Sequence, residues 1–158
     1  MGGNSGNDLF WAWRVTAVDT NILIYAHRLD SEWHEHAARA LMELAEGPAP
    51  WAIPWPCLHE FLSIVTHPRI YAPPTPSAKA IEQIEAWIES PSLVLIGELK
   101  GHWNELKKTI IAGKISGGMV HDARISAICV EHGVRELWSA DRDFSRFGRI
   151  AVRNPLTK

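Results

Sequence analysis

Short apolar runs alternate along this chain with longer stretches in which apolar residues recur at helical spacing. Residues 15–18 form the first run, β-branched at both ends, and read as a central strand. Ser31 is placed as the N-cap of a helix running to about Glu46, stopped by Gly47-Pro48. Residues 51–55, bounded by prolines, are the second strand. Pro56 suits the first turn of the next helix, whose apolar stripe is Leu58, Phe61, Leu62 and Val65. His67-Pro68 ends it, and four prolines within residues 67–76 mark a loop. Ile81, Ile84, Trp87 and Ile88 outline another helix, followed by a third strand at residues 93–96. Residues 102–112 are helical, with Leu106 and Ile110 inward. Ser116-Gly117-Gly118 breaks the chain, and residues 119–132 form a helix closed by Gly133. Residues 134–138 are a fourth strand and residues 150–152 a candidate fifth. This alternation predicts an α/β fold: a central parallel sheet of four to five strands, covered by helices on both faces.

Composition narrows the class. At 158 residues, 46% hydrophobic and 22% charged, the chain has an ordinary globular mix, which excludes wholly disordered and collagen-like chains. One domain is placed at residues 14–158. Residues 1–13 are expected to be a flexible extension, from either a misplaced start or vector sequence. No apolar run approaches the ~18 residues of a membrane helix. Residues 1–7 lack the basic and apolar regions of a secretory signal, and Gly6 stands where a myristoylation signal needs Ser or Thr. Two cysteines, Cys57 and Cys129, are too few for a disulfide scaffold and fit a reducing cytoplasm. Eight tryptophans, scattered without period, read as core and surface aromatics. The net charge of −2 conceals an asymmetry. Residues 1–97 carry 5 basic and 11 acidic side chains, residues 98–158 carry 11 basic and 7 acidic. The basic half suits a nucleic-acid partner and equally suits solvated helix faces.

Ligands of an open parallel sheet bind at the carboxyl ends of its strands. Asp19 follows the first strand there, and Glu60 lies early in the helix after the second. Asp141 and Asp143 follow the fourth, and Asp122 opens the helix leading back to that strand. Singly, Asp19 reads equally as a turn cap, Glu60 as a solvated helix-start acid, and Asp141-Arg142-Asp143 as an ordinary turn. Asp122 is harder to dismiss. At 100° per residue it shares the apolar side with Ile125, Ser126 and Cys129, and no Lys or Arg lies at i+3 or i+4 to pair it. Gathered carboxylates repel by ~1 kcal/mol per pair in water and ~4 at an effective dielectric of 20. A fold gains from gathering them only around a cation, and all-oxygen ligation selects Mg²⁺ or Mn²⁺. Zinc is disfavoured: His34 and His36 lie on opposed faces, and no cysteine pair has ligand spacing. His59 and His121, beside two of the acids, read as structural.

These residues carry a family resemblance. Ala17-Val18-Asp19-Thr20-Asn21-Ile22-Leu23-Ile24-Tyr25 resembles the opening motif of PIN-domain ribonucleases. His121-Asp122-Ala123-Arg124-Ile125-Ser126-Ala127 is similar to their third-acid helix, and Leu137-Trp138-Ser139-Ala140-Asp141-Arg142-Asp143-Phe144 to their fourth-acid motif. Glu60 falls where they carry the second acid. The nearest subgroup is the VapC-like toxins. The resemblance implies a three-layer α/β/α fold, an acidic pocket holding Mg²⁺ or Mn²⁺, and endonucleolytic cutting of RNA. It further implies a homodimer and a small DNA-binding antitoxin that plugs the pocket. By position, Asp19, Glu60, Asp122 and Asp141 are the catalytic and metal-holding acids, with Asp143 accessory. Asn21 positions Asp19, and Ser139 stands where Thr is commoner, keeping the hydroxyl. The reaction so implied is metal-assisted phosphodiester hydrolysis. Arg124, Arg142 and Arg146 are candidates to receive the RNA backbone, and each reads equally as a solvated charge. The rival enzyme, an aspartyl phosphatase, wants an acid where Asn21 stands. The rival non-enzyme, a silent PIN-like RNA- or protein-binding scaffold, tolerates loss of acids, and none is lost. Nucleases acting on DNA flaps need threading elements for which the chain has no room.

Overall fold

A computed structural model describes residues 14–157, and the extension expected at residues 1–13 lies outside them. The elements run in the order β1 (Thr16–Val18), α1 (Thr20–His27), α2 (His34–Glu46), β2 (Trp51–Pro54), α3 (Trp55–Val65), α4 (Ser77–Ile88), β3 (Leu93–Ile96), α5 (His102–Gly113), α6 (Met119–Glu131), β4 (Glu136–Trp138), a short 3₁₀ helix (Arg142–Phe147) and β5 (Ala151–Arg153). The strands form one sheet in the order β3-β2-β1-β4-β5, every pair parallel. Ala17 pairs with Ala52 on one side and Leu137 on the other. β2 is buried at every position, whereas the edge strand β5 is largely exposed.

The chain winds outward from β1 through β2 to β3, then crosses to β4 on the far side of β1 and continues to β5. Right-handed crossovers put α1 to α4 on one face and α5 and α6 on the other. The contacts agree: α1 packs on α2 and α3, α3 on α4, and α5 on α6, with the 3₁₀ helix against α5 and α6. The result is the expected three-layer α/β/α arrangement with five strands. Winding reverses between β1 and β4, so their carboxyl ends diverge into a crevice, the usual ligand position of such sheets.

Two local expectations change, and one helix is added. The apolar run Ile22-Leu23-Ile24, which carries no helical period and to which the pattern assigns no element, belongs to α1, where all three side chains are buried. Trp55 begins α3 instead of ending β2, because the Pro54 and Pro56 pair suits a strand end and a first helical turn. Ser31 is not the N-cap of α2; its Oγ accepts the Trp33 amide at 3.1 Å, closing a turn ahead of a helix that starts at His34. Gly133, at φ +67, follows the α6 C-cap as expected. Among the described residues no helix is long and apolar enough to cross a membrane.

The core is filled by Trp51, Phe61, Leu137, Phe144 and Phe147, each at most 1% exposed. On α6 the Ser126 hydroxyl is buried without a hydrogen-bond partner among the described residues. An orphaned buried hydroxyl costs about 1–3 kcal/mol. Ser126→Ala removes it with little change of volume, so the variant is expected to melt a few degrees higher in a thermal scan. An unchanged or lower melting temperature would show that a bound water satisfies the hydroxyl.

Candidate active site at the switch point of the sheet

The Asp19 amide donates to the Trp138 carbonyl at 2.9 Å, the last backbone bond joining the β1 and β4 segments. Its side chain therefore leaves the sheet where the two strands part. The carboxylate is buried, at 5% exposure for the residue. It occupies the N-cap position of α1 without a side-chain capping bond to that helix. Ser139 Oγ donates to Oδ2 at 2.7 Å, and Cys57 Sγ donates to Oδ1 at 3.7 Å. The Ser139 hydroxyl also accepts from Asn21 Nδ2 at 3.3 Å and from the Asp141 amide at 3.0 Å. Its one donor and two acceptor positions are thus all used. Asn21 Oδ1 accepts the Ala140 amide at 3.1 Å. Asn21 contacts Asp19 only through Ser139, one step further away than the sequence reading has it.

Between α3 and α6 lies a cavity of about 620 Å³. Glu60 from α3, Asp122 from α6 and Asp141 from the segment after β4 share its wall; Asp19 is not in the wall, and the charges of Glu60 and Asp122 act on it. Glu60 is exposed and accepts a hydrogen bond from Thr20 Oγ1 at 3.3 Å. Asp141 Oδ1 accepts the Asp143 amide at 2.8 Å, so one of its oxygens caps the 3₁₀ helix. Desolvation pushes the Asp19 carboxyl up to about 6; the Ser139 and Thr20 hydrogen bonds oppose this, and the Glu60 and Asp122 charges add to it. Partial burial, then the charges of Asp141, Glu60 and Asp143, push Asp122 up to about 6 as well. The four acids drawn from separate stretches of sequence therefore share one electrostatic environment.

The remaining predicted residues fall differently. Asp143 is exposed and outside the cavity wall, although its charge reaches Asp122. Arg124 lines the wall but is tied to Glu98. Arg142 and Arg146 are exposed and outside the wall, and Arg146 Nη1 rests on Met119 Sδ at 3.4 Å. Sequence reasoning missed Cys57, whose buried thiol touches Asp19, and placed His59 and His121 as structural when both line the cavity. The overlooked signal is that each histidine immediately precedes an acid at a helix start. Residues 100° apart on a helix still share a wall as wide as this one.

The donor set suits a hard divalent cation. Acidic side chains line an open polar cavity, and Asp19 and Asp122 are raised by burial and by the charge of neighbouring acids, a cost that a cation relieves. Among the described residues no three His, Cys, Asp or Glu side chains close into a ready-made metal cage. An open acidic basin fits Mg²⁺, which keeps several of its waters and takes few carboxylates, better than a metal needing a full protein cage.

A doubly wound sheet with acids converging at its switch point defines a class of metal-dependent sites. Residues 16–150 match the PIN domain family, and the chain belongs to it. It is similar to Ribonuclease VapC48 of Mycobacterium tuberculosis, 31% identical over 139 residues, which span 88% of this chain and 96% of that one. Among solved structures, Mycobacterium tuberculosis VapC20, described as a sarcin-ricin loop cleaving toxin, matches with a TM-score of 0.64 at 16% identity, covering 88% of this chain and 99% of that one. VapBC2 from Rickettsia felis, bound to a DNA fragment from their promoter, matches at 0.63 and 16%, over 89% and 98%. At that identity the two structures speak to the fold.

Raised carboxyls bind protons more tightly in the folded than in the unfolded state. Stability of the metal-free protein is therefore expected to fall as pH rises from about 4 through about 6. For Asp19 the shift corresponds to roughly 3 kcal/mol at neutral pH. Asp19→Asn should raise neutral-pH stability in urea melts without metal and leave stability near pH 4 little changed. A variant destabilised at every pH would make the carboxylate a structural element.

Proposed function

We propose that this chain is a divalent-metal-dependent endoribonuclease and the toxin of a toxin–antitoxin pair. The observation that carries the reading is that Glu60, Asp122 and Asp141 share one cavity wall in a PIN-family chain, with the charges of Glu60 and Asp122 acting on the buried Asp19. The ribonuclease names of relatives about 31% identical over most of the chain support it. The four acids would hold Mg²⁺ or Mn²⁺, which when bound lowers the pKa of a water and polarises the phosphodiester. Ser139 and Cys57 hold both Asp19 oxygens in place, and Asn21 steadies Ser139. Burial keeps bulk water from the Asp19 carboxylate and strengthens its field. Asp141 joins the site through an oxygen left over from capping.

An RNA hydrolase acting in the cytoplasm needs restraint. The partner we infer is a DNA-binding antitoxin whose extended tail enters the acidic cavity with an arginine against the carboxylates. Solved relatives of this fold in complex with promoter DNA support that assignment. A homodimer of the toxin belongs to the same proposal.

Cleavage of a labelled RNA in Mn²⁺ tests the reading. Wild type should cut, and Asp19→Asn and Asp122→Asn should each lose about 10²-fold or more while remaining folded. Expression of wild type alone should arrest growth, and Asp19→Asn should not. Folded acid variants that cut at the wild-type rate would remove the four-acid site from the reaction.

A further inference from the structure

RNA must bring a polyanionic backbone to a cavity walled by carboxylates, so hydrogen-bond donors are needed at the same wall. Arg124, the arginine of that wall, has its guanidinium on Glu98. Arg142 and Arg146 stand outside it. Besides the short Ser63 hydroxyl, the side-chain donors in the wall that make no hydrogen bond among the described residues are two imidazoles. Of the eight histidines, five are engaged within the fold: His27 with Gln83 and Thr75, His34 with the Tyr25 carbonyl, His67 with the Arg69 amide, His102 with Glu131, and His132 with the Gly97 carbonyl. His59 and His121 are exposed, line the cavity, and have no hydrogen-bond partner among the described residues. They come from helices on opposite faces of the sheet, α3 and α6, each one residue before an acid of the site. The two imidazoles therefore flank the carboxylates from two sides.

We propose that His59 and His121 are the substrate-binding donors of this cavity, each giving a ring N–H to a non-bridging phosphate oxygen of the RNA beside the acids. The inference rests on the ribonuclease reading and assigns the recognition of substrate phosphate within it. A ring nitrogen donates in the neutral tautomer as well as in the cation, so the role does not depend on a protonation event. The two histidines are binding residues, and the acids retain the metal.

The test uses the full chain as wild type, as His59→Ala/His121→Ala and as His59→Gln/His121→Gln. Multiple-turnover cleavage of a labelled single-stranded RNA in Mn²⁺ gives KM and kcat. RNA affinity is measured on the Asp19→Asn background, and Mn²⁺ binding by thermal shift. The alanine pair should raise KM and Kd about tenfold per imidazole, the worth of one hydrogen bond to a charged oxygen, with kcat and the Mn²⁺ shift nearly unchanged. The glutamine pair, which keeps an N–H at each position, should recover part of the affinity. Wild-type cleavage with an unchanged KM in the alanine pair would overturn the inference and leave the ribonuclease reading standing. Loss of the Mn²⁺ shift in the alanine pair would assign the imidazoles to the metal and overturn it likewise. A folded wild type that cuts no RNA would overturn both.

Discussion

The site depends on one buried carboxylate kept in place against its own desolvation. Asp19 follows β1 into the interior, where isolated charge is costly, and burial, with the charges of Glu60 and Asp122, pushes its carboxyl up to about 6. Hydrogen bonds from Ser139 and Thr20 offset part of that cost, and a cation beside the carboxylate would offset more. Ser139 is held by Asn21 and by the Asp141 amide, so the same hydroxyl ties the first acid to the last. Movement at either strand end is thereby shared by both acids. This coupling requires β1 and β4 to be neighbours, which the winding order of the sheet ensures.

The wall opposite is held by a different set of contacts. Glu131 on α6 accepts the Leu99 amide at 3.0 Å and meets His102 Nδ1 at 2.7 Å. His132 Nε2 lies 2.8 Å from the Gly97 carbonyl, and Arg124 pairs with Glu98. Together they fasten the segment between β3 and α5 onto α6, the helix that presents His121 and Asp122. Three of the eleven basic side chains in the second half of the sequence face acids: besides Arg124, Arg149 is paired with Glu105 and Arg153 lies near Glu136.

Periodicity made the sheet and most helices legible, because buried parallel strands are short apolar runs and helices repeat at 3.6 residues. It missed α1, since a helix buried on most sides has no polar face to mark it. Asp122 was readable from helix geometry alone: its neighbours Ile125, Ser126 and Cys129 are buried, and the acid itself is raised by that setting. Glu60 was readable only through the family motif, because an exposed acid early in a helix is ordinary. Cys57 was not readable, because its contact with Asp19 spans 38 residues and joins the first turn of α3 to the residue after β1. The wall positions of His59 and His121 were hidden for a related reason: the width of a cavity between two helices is a tertiary quantity.

The central claim is that the four acids at the switch point form one cation site. Thermal melting of wild type and Asp122→Asn across a Mn²⁺ titration tests it most directly, since an ion that binds only the folded state must raise the melting temperature by mass action. The account predicts a concentration-dependent rise in wild type that Asp122→Asn loses. A rise of equal size in Asp122→Asn, or none in wild type, would contradict it.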